Sequence, residues 1–175
     1  MELAAVQRLT GDCRAAAASS QQAISMFREV RSGNAVYALN ELGLVQQLTS
    51  DYQAAAANHQ QALALSRDDG DLAGQAETLN CLGELASRTA DGRQARDRHA
   101  QALAIARNLG IPAEEARALE GIGHSHRRDG NLPQAAAVLQ EALAIYQHIG
   151  SPAAQRTQQT LTQFRHDPLA AAPER

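Results

Sequence analysis

Apolar residues along this chain recur with a helical spacing, and the spacing itself recurs. In the segment ALNELGLVQQL (38–48), Leu39, Leu42 and Leu48 stand at i, i+3 and i+9, with Gly43 at i+4. The same stripe restarts at Leu79, Leu82, Gly83 and at Leu119, Ile122, Gly123, each a shift of 40 residues. Downstream of each, QQALALSRDDG (60–70), AQALAIARNLG (100–110) and QEALAIYQHIG (140–150) superpose at that shift. An earlier copy, CRAAAASSQQAISMF (13–27), matches YQAAAANHQQALALS (52–66) at a shift of 39. Four copies of a two-helix unit predict a repeat architecture, in which one hairpin cannot bury its stripe alone and stacked neighbours form a continuous core.

The punctuation agrees with that reading. Asp12, Asp51, Asp91 and Asn131 stand where each second helix needs an N-cap. Gly70, Gly110 and Gly150 stand where a left-handed residue would end it. Pro112 and Pro152 suit the first turn of the next helix. Small residues recur at fixed places: Gly43, Gly83 and Gly123 in first helices are expected to face Ala16, Ala55, Ala95 and Ala135 in second helices. A helix-interior Gly costs roughly 1 kcal/mol relative to Ala, so aligned glycines call for a packing reason.

Composition narrows the class further. The chain has 37 Ala and 18 Gln but no Trp, two Phe and three Tyr, which leaves little strand-forming material. The fold class predicted is all-α, a right-handed α-solenoid of antiparallel helix hairpins. Net charge is −3 and every basic residue is Arg, without a basic cluster large enough to mark a nucleic-acid face. Cys13 and Cys81 lie far apart, in no metal-ligand or disulfide-framework spacing. The N-terminal sequence has no apolar signal-type run, and no stretch approaches the ~18 apolar residues of a membrane span. A cytoplasmic protein without membrane or nucleic-acid partners is expected.

The sequence Leu-x-x-Leu-Gly, then Ala, then Ala-Leu, resembles the tetratricopeptide repeat, in a variant with a 40-residue period. The residues LNxLG, the turn Asp and QALA(L/I) are similar in style to arrays of actinobacterial regulators of the SARP and STAND classes. The resemblance implies a TPR superhelix over residues 1–165. It comprises a truncated repeat at 1–32, full repeats at 34–70, 73–110 and 113–150, and a capping helix at 152–165, with 166–175 a disordered tail. Met1 falls within a first helix, so the first repeat is expected to be truncated, as in a fragment, a shortened reading frame or a piece cut from a longer protein. At the other end, Ala154, Thr157, Leu161 and Phe164 are expected to form the single apolar stripe of a polar cap.

No constellation for catalysis stands out. His124 and His126 are two apart on a helix and point about 200° apart, poorly placed to share a metal. His59 and His99 share a repeat position and read as semi-buried packing residues. Cys81 reads as packing, and no nucleophile elbow or phosphate loop is present. Neither enzyme activity nor a cofactor or metal is expected.

The resemblance further implies that first helices line a concave groove. Residues opposite the Leu/Gly stripe are then the candidate peptide-binding set: Arg8; Tyr37, Asn40, Glu41, Leu44 and Gln47; Glu77, Asn80, Glu84, Ser87 and Arg88; Arg117, Glu120, His124, Arg127 and Arg128. Asn40 and Asn80 could clamp a ligand backbone or bond within their own repeat. Glu41, Glu77 and Glu84 at mid-groove, with Arg117, Arg127 and Arg128 beyond, predict that an acidic part of the partner docks near Arg127 and Arg128. The expected function is a protein-interaction module that binds a partner peptide or helix, as part of or partner to a bacterial regulator. Homodimerisation through the N-terminal end and sensing of a signal peptide or small molecule are the alternatives.

Overall fold

The computed structural model describes Ala4, Gln7, Arg8 and residues 10–29 and 35–166. Eight helices lie in that span: α1 (Cys13–Glu29), α2 (Ala35–Leu48), α3 (Tyr52–Asp68), α4 (Leu72–Arg88), α5 (Gly92–Leu109), α6 (Pro112–Arg128), α7 (Leu132–His148) and α8 (Ala153–His166). Each packs on the helix before and after it, and first helices also meet their counterparts one copy on, α2 with α4 and α4 with α6. This nearest-neighbour stacking is the contact pattern of a solenoid. The fold is all-α, a solenoid of antiparallel hairpins, with no strand among the described residues. The side chain of Phe164 and the tail beyond His166 lie outside the described residues.

The helix boundaries follow from local chemistry. Asp12, Asp51, Asp71 and Asp91 accept hydrogen bonds from the backbone N–H three residues on, at 2.9–3.1 Å. Each occupies one of the N–H groups a helix start leaves without a partner. Asp71, which starts a first helix, was not among the expected caps. Asn131 holds the expected N-cap position but makes no side-chain cap bond. Between hairpins, Gly70, Gly110 and Gly150 adopt φ of 64–67° and let the chain reverse. The turn inside each hairpin needs the same conformation, and there Gly11, Ser50, Ala90 and Gly130 supply it in successive copies.

The core is thin and continuous. Ala16, Ala55, Ala95 and Ala135 are fully buried where the paired helices approach, as are Ala62, Ala102 and Ala142. Larger side chains fill the layers between, with Ile24, Val36, Leu39 and Leu42 in one cluster and Leu63, Leu79 and Leu82 in the next. At the C-terminal end Leu139, Leu143 and Leu161 close the stack, with Ala154 against them. Each fully buried Leu contributes on the order of 2 kcal/mol through removal of apolar surface from water.

The glycine notches do something other than expected. They receive side chains from one position of the second helix, which reads Ser20, His59, His99, Leu139 along the array. A Cβ on Gly43 would stand 2.6 Å from Nε2 of His59, and one on Gly83 would stand 2.6 Å from Nε2 of His99. At Gly123 it would meet Leu139 Cγ at 2.6 Å, with Ala135 reached only at its carbonyl oxygen, 3.4 Å away. The notches thus hold an imidazole or a Leu, because only a missing Cβ leaves room for those side chains between helices this close.

Candidate functional site

Each buried imidazole is part of a polar ladder that crosses from one hairpin to the next. In the second copy Asn40, fully buried, donates through Nδ2 to Thr78 Oγ1 at 2.9 Å and Glu77 Oε1 at 3.3 Å. Its carbonyl faces His59 Nδ1 at 3.2 Å, and Gln47 Nε2 lies 3.0 Å from His59 Nε2. With the Asn40 amide oriented by its two acceptors, His59 donates from Nδ1 and accepts from Gln47 at Nε2. In the third copy Asn80 donates to the Glu114 carbonyl oxygen and Oε2 at 3.0 and 2.8 Å. Its own carbonyl oxygen accepts from His99 Nδ1 at 3.0 Å.

The fourth copy changes the set together. Leu139 replaces the imidazole, and Glu120, in the asparagine position, finds other donors. It accepts from Tyr146 Oη at 3.0 Å, from Arg156 at 3.1 Å and from Thr157 Oγ1 at 3.4 Å. Burial pushes the Glu120 carboxyl up, but His124, 3.8 Å away, and the hydrogen-bonded Arg156 more than reverse it, bringing it down to about 2. Burial also pushes His59 and His99 down to about 4, which keeps both rings neutral at physiological pH. It pushes Glu77 up to about 7, assisted by the nearby Glu114, and the Cys81 thiol up to about 12.

Over this ladder lies a cavity of about 520 Å³. Its wall is built by first helices of successive copies: Arg8; Leu44, Gln47 and Leu48 of α2; Glu84, Ser87 and Arg88 of α4; Arg117, Glu120, Gly121 and His124 of α6; and Arg156 of α8. Among the described residues, His99 of α5 is the one second-helix residue that reaches it.

Of the sequence-predicted residues, Arg8, Leu44, Gln47, Glu84, Ser87, Arg88, Arg117, Glu120 and His124 are brought together on this wall. Tyr37, Asn40, Glu41, Glu77, Asn80, Arg127 and Arg128 are not. Of the two roles expected for them, the asparagines bond within their own repeat, to His59 and His99, and also to the next repeat, and both are fully buried. Arg128 is turned away, its Nη2 donating to the Ser87 carbonyl oxygen at 2.6 Å. Leu48, His99, Gly121 and Arg156 were missed. Gly121 carried a signal, since it breaks a series in which Glu41 and Cys81 precede it; its notional Cβ would collide with the His99 ring. Arg156 carried none, because its helix departs from the repeat.

The expected charge gradient is replaced by pairs between neighbouring copies. Arg8 meets Glu41 at 2.9 Å, Arg117 meets Glu84 at 2.6 Å and Arg156 meets Glu120 at 3.1 Å, while Arg117 also reaches Glu114 of its own helix at 3.6 Å. Such pairs set the angle between hairpins more than they attract a ligand, because each charge is already answered. Arg88 lines the wall with no carboxylate partner among the described residues. Nor does any group of three or more His, Cys, Asp or Glu among them come together to hold a metal ion. No described helix is long and apolar enough to cross a membrane.

Stacked hairpins with a cavity along their first helices define a helical-repeat protein. Tetratricopeptide-repeat models match residues 38–73 and 74–148, so those residues are tetratricopeptide repeats. Among solved structures, the chain is similar to BtubC (BKLC) from P. vanneervenii, with a TM-score of 0.68 and 24% identity. That match covers 85% of this chain but 62% of BtubC, so the chain spans less than two thirds of it. It is also similar to a putative kinesin light chain with nearly identical TPR-like repeats from Podosopora anserina. There the TM-score is 0.64 at 17% identity, covering 94% of this chain and 83% of that one. A point-substituted form of the latter matches with a TM-score of 0.65. At these identities the likeness concerns the fold. No curated protein matches the chain in sequence.

Proposed function

We propose that the chain is a protein-interaction module whose cavity along the first helices receives a segment of a partner protein. One observation carries this reading: a single cavity of about 520 Å³ takes wall residues from four successive copies and from the last helix, so it runs across the array. Tetratricopeptide repeats generally mediate protein–protein interaction, and this cavity offers both apolar surface (Leu44, Leu48) and hydrogen-bonding groups (Ser87, Arg88, His124). That mixture suits an extended or helical peptide held by a few side chains. The stylistic similarity to SARP and STAND arrays supports a role within, or beside, a bacterial cytoplasmic regulator.

The test is peptide selection on the immobilised chain, repeated on Leu44→Arg. Leu44 is half-buried on the wall, so the substitution fills the cavity without opening the core. Peptides that bind the parent chain and lose affinity by about tenfold or more on Leu44→Arg support the groove. Equal binding to both proteins would refute it. A dimer of the chain alone in light scattering, blocked by Leu44→Arg, would instead assign the cavity to self-association.

A further inference from the structure

The ladder is complete in one repeat and incomplete in the next. His59 Nε2 receives a hydrogen bond from the Gln47 carboxamide at 3.0 Å. One period later Gln47 is replaced by Ser87, whose shorter side chain makes no such bond. His99 Nε2 is left without a hydrogen-bond partner although the residue is 1% exposed. Leaving a buried polar atom unpaired is costly, and native structures hold few of them. Gly83 and Gly121 flank the ring closely, which holds it in place. Its other nitrogen donates to Asn80, so the unpaired Nε2 is an acceptor. The ring borders the 520 Å³ cavity together with Ser87, Arg88 and His124.

We propose that the cavity carries a specificity site for a primary carboxamide, the side chain of a Gln or Asn in the partner segment. Its NH₂ donates to His99 Nε2 in the place that Gln47 fills one repeat earlier. The carboxamide oxygen then takes a hydrogen bond from Ser87 Oγ or the Arg88 guanidinium, both on the same wall. The protein's own second repeat therefore supplies the template for the ligand chemistry of the third. A carboxylate of the same shape has no proton to offer Nε2 and is rejected. The inference rests on the groove reading above, but its test does not need the partner to be known.

The test uses the full chain labelled with ¹⁵N-histidine, whose Nε2 and Nδ1 resonances report tautomer and hydrogen bonding. The probes are the N-methylamides of acetyl-glutamine, acetyl-glutamate and acetyl-serine, in which the glutamine side chain is the one primary carboxamide, titrated separately. The expected result is an upfield movement of the His99 Nε2 resonance by several ppm with the glutamine probe alone. In Ser87→Gln that resonance already lies at the shifted position, the variant is thermally more stable than the parent, and the glutamine probe moves nothing further. A His99 resonance that ignores the glutamine probe, or answers all three equally, would overturn the proposal, as would a Ser87→Gln spectrum unchanged from the parent. If groove-selected peptides bind Ser87→Gln as tightly as the parent, rather than about tenfold more weakly, the carboxamide site fails while the groove stands. If Leu44→Arg leaves selected peptides bound, the groove fails, and the probe titration still decides whether His99 accepts a carboxamide.

Discussion

The His99 ring lies over Gly83 so closely that a single added methyl group would stand 2.6 Å from Nε2. Gly83 sits inside α4, where helix propensity alone favours Ala by roughly 1 kcal/mol. Packing reverses the sign. Gly83→Ala is expected to destabilise the chain by about 1–3 kcal/mol, since ring and helix must part by several tenths of an ångström. Gly43→Ala should behave alike over His59. Urea unfolding of both variants measures this, and a gain in stability from either would show that the ring moves aside freely.

The two buried imidazoles make stability depend on acid. Each has a folded pKa of about 4 against roughly 6.5 in the unfolded chain, so the unfolded chain binds more protons between those values. Their stabilising contribution is complete above pH 6.5 and is lost as the pH falls toward 4. Glu77 opposes them, because its pKa is raised to about 7 and the folded chain keeps its proton longer. Two histidines outweigh one carboxyl, so the melting temperature should fall between pH 6.5 and pH 4.5. Glu77→Gln should steepen that fall and raise the melting temperature at pH 8. A melting temperature for Glu77→Gln that is level across pH 4.5–6.5 would count against neutral, buried histidines.

The inner turns of the hairpins are unequal. Ala90 adopts φ of 64° where Gly130 and Gly11 serve the same turn in other copies. A side chain in that region costs about 1 kcal/mol or more, partly offset by the greater freedom of glycine in the unfolded chain. Ala90→Gly is therefore expected to stabilise by up to about 1 kcal/mol. A thermal melt that moves downward would exclude this account of the turn.

Cys81 should be chemically quiet. It is fully buried, its thiol is pushed up to about 12 by that burial, and Arg117 Nη2 sits 3.2 Å from its sulfur. Cys13 is half-exposed. With a thiol-specific reagent at pH 8, one equivalent should react rapidly in the folded chain and the second only on unfolding. Fast modification of two thiols under native conditions contradicts this.

Most of the fold was legible because repetition multiplies weak local signals. One Leu-x-x-Leu-Gly predicts little, but the same stripe at Leu39, Leu79 and Leu119, each followed by a capped Ala-rich helix, leaves few alternatives. The candidate site was legible only in part. Facing residues such as Leu44, Glu84 and His124 follow from helical phase. The direction of Asn40 and Asn80 did not, because the phase places them between two faces and the choice depends on which neighbour offers a partner.

What the sequence alone determined is the helical unit and most of the residues that begin and end its helices, since caps, left-handed turn residues and apolar spacing act within a few residues of one another. Only the tertiary structure decided what the glycines are for, which polar groups are already satisfied, and that His99 Nε2 is not among them. Those answers come from residues about 12 to 40 positions apart, such as Gly83 with His99 and Gln47 with His59. No local propensity records a distance of that kind. It exists once the stacked hairpins have pressed the two side chains together.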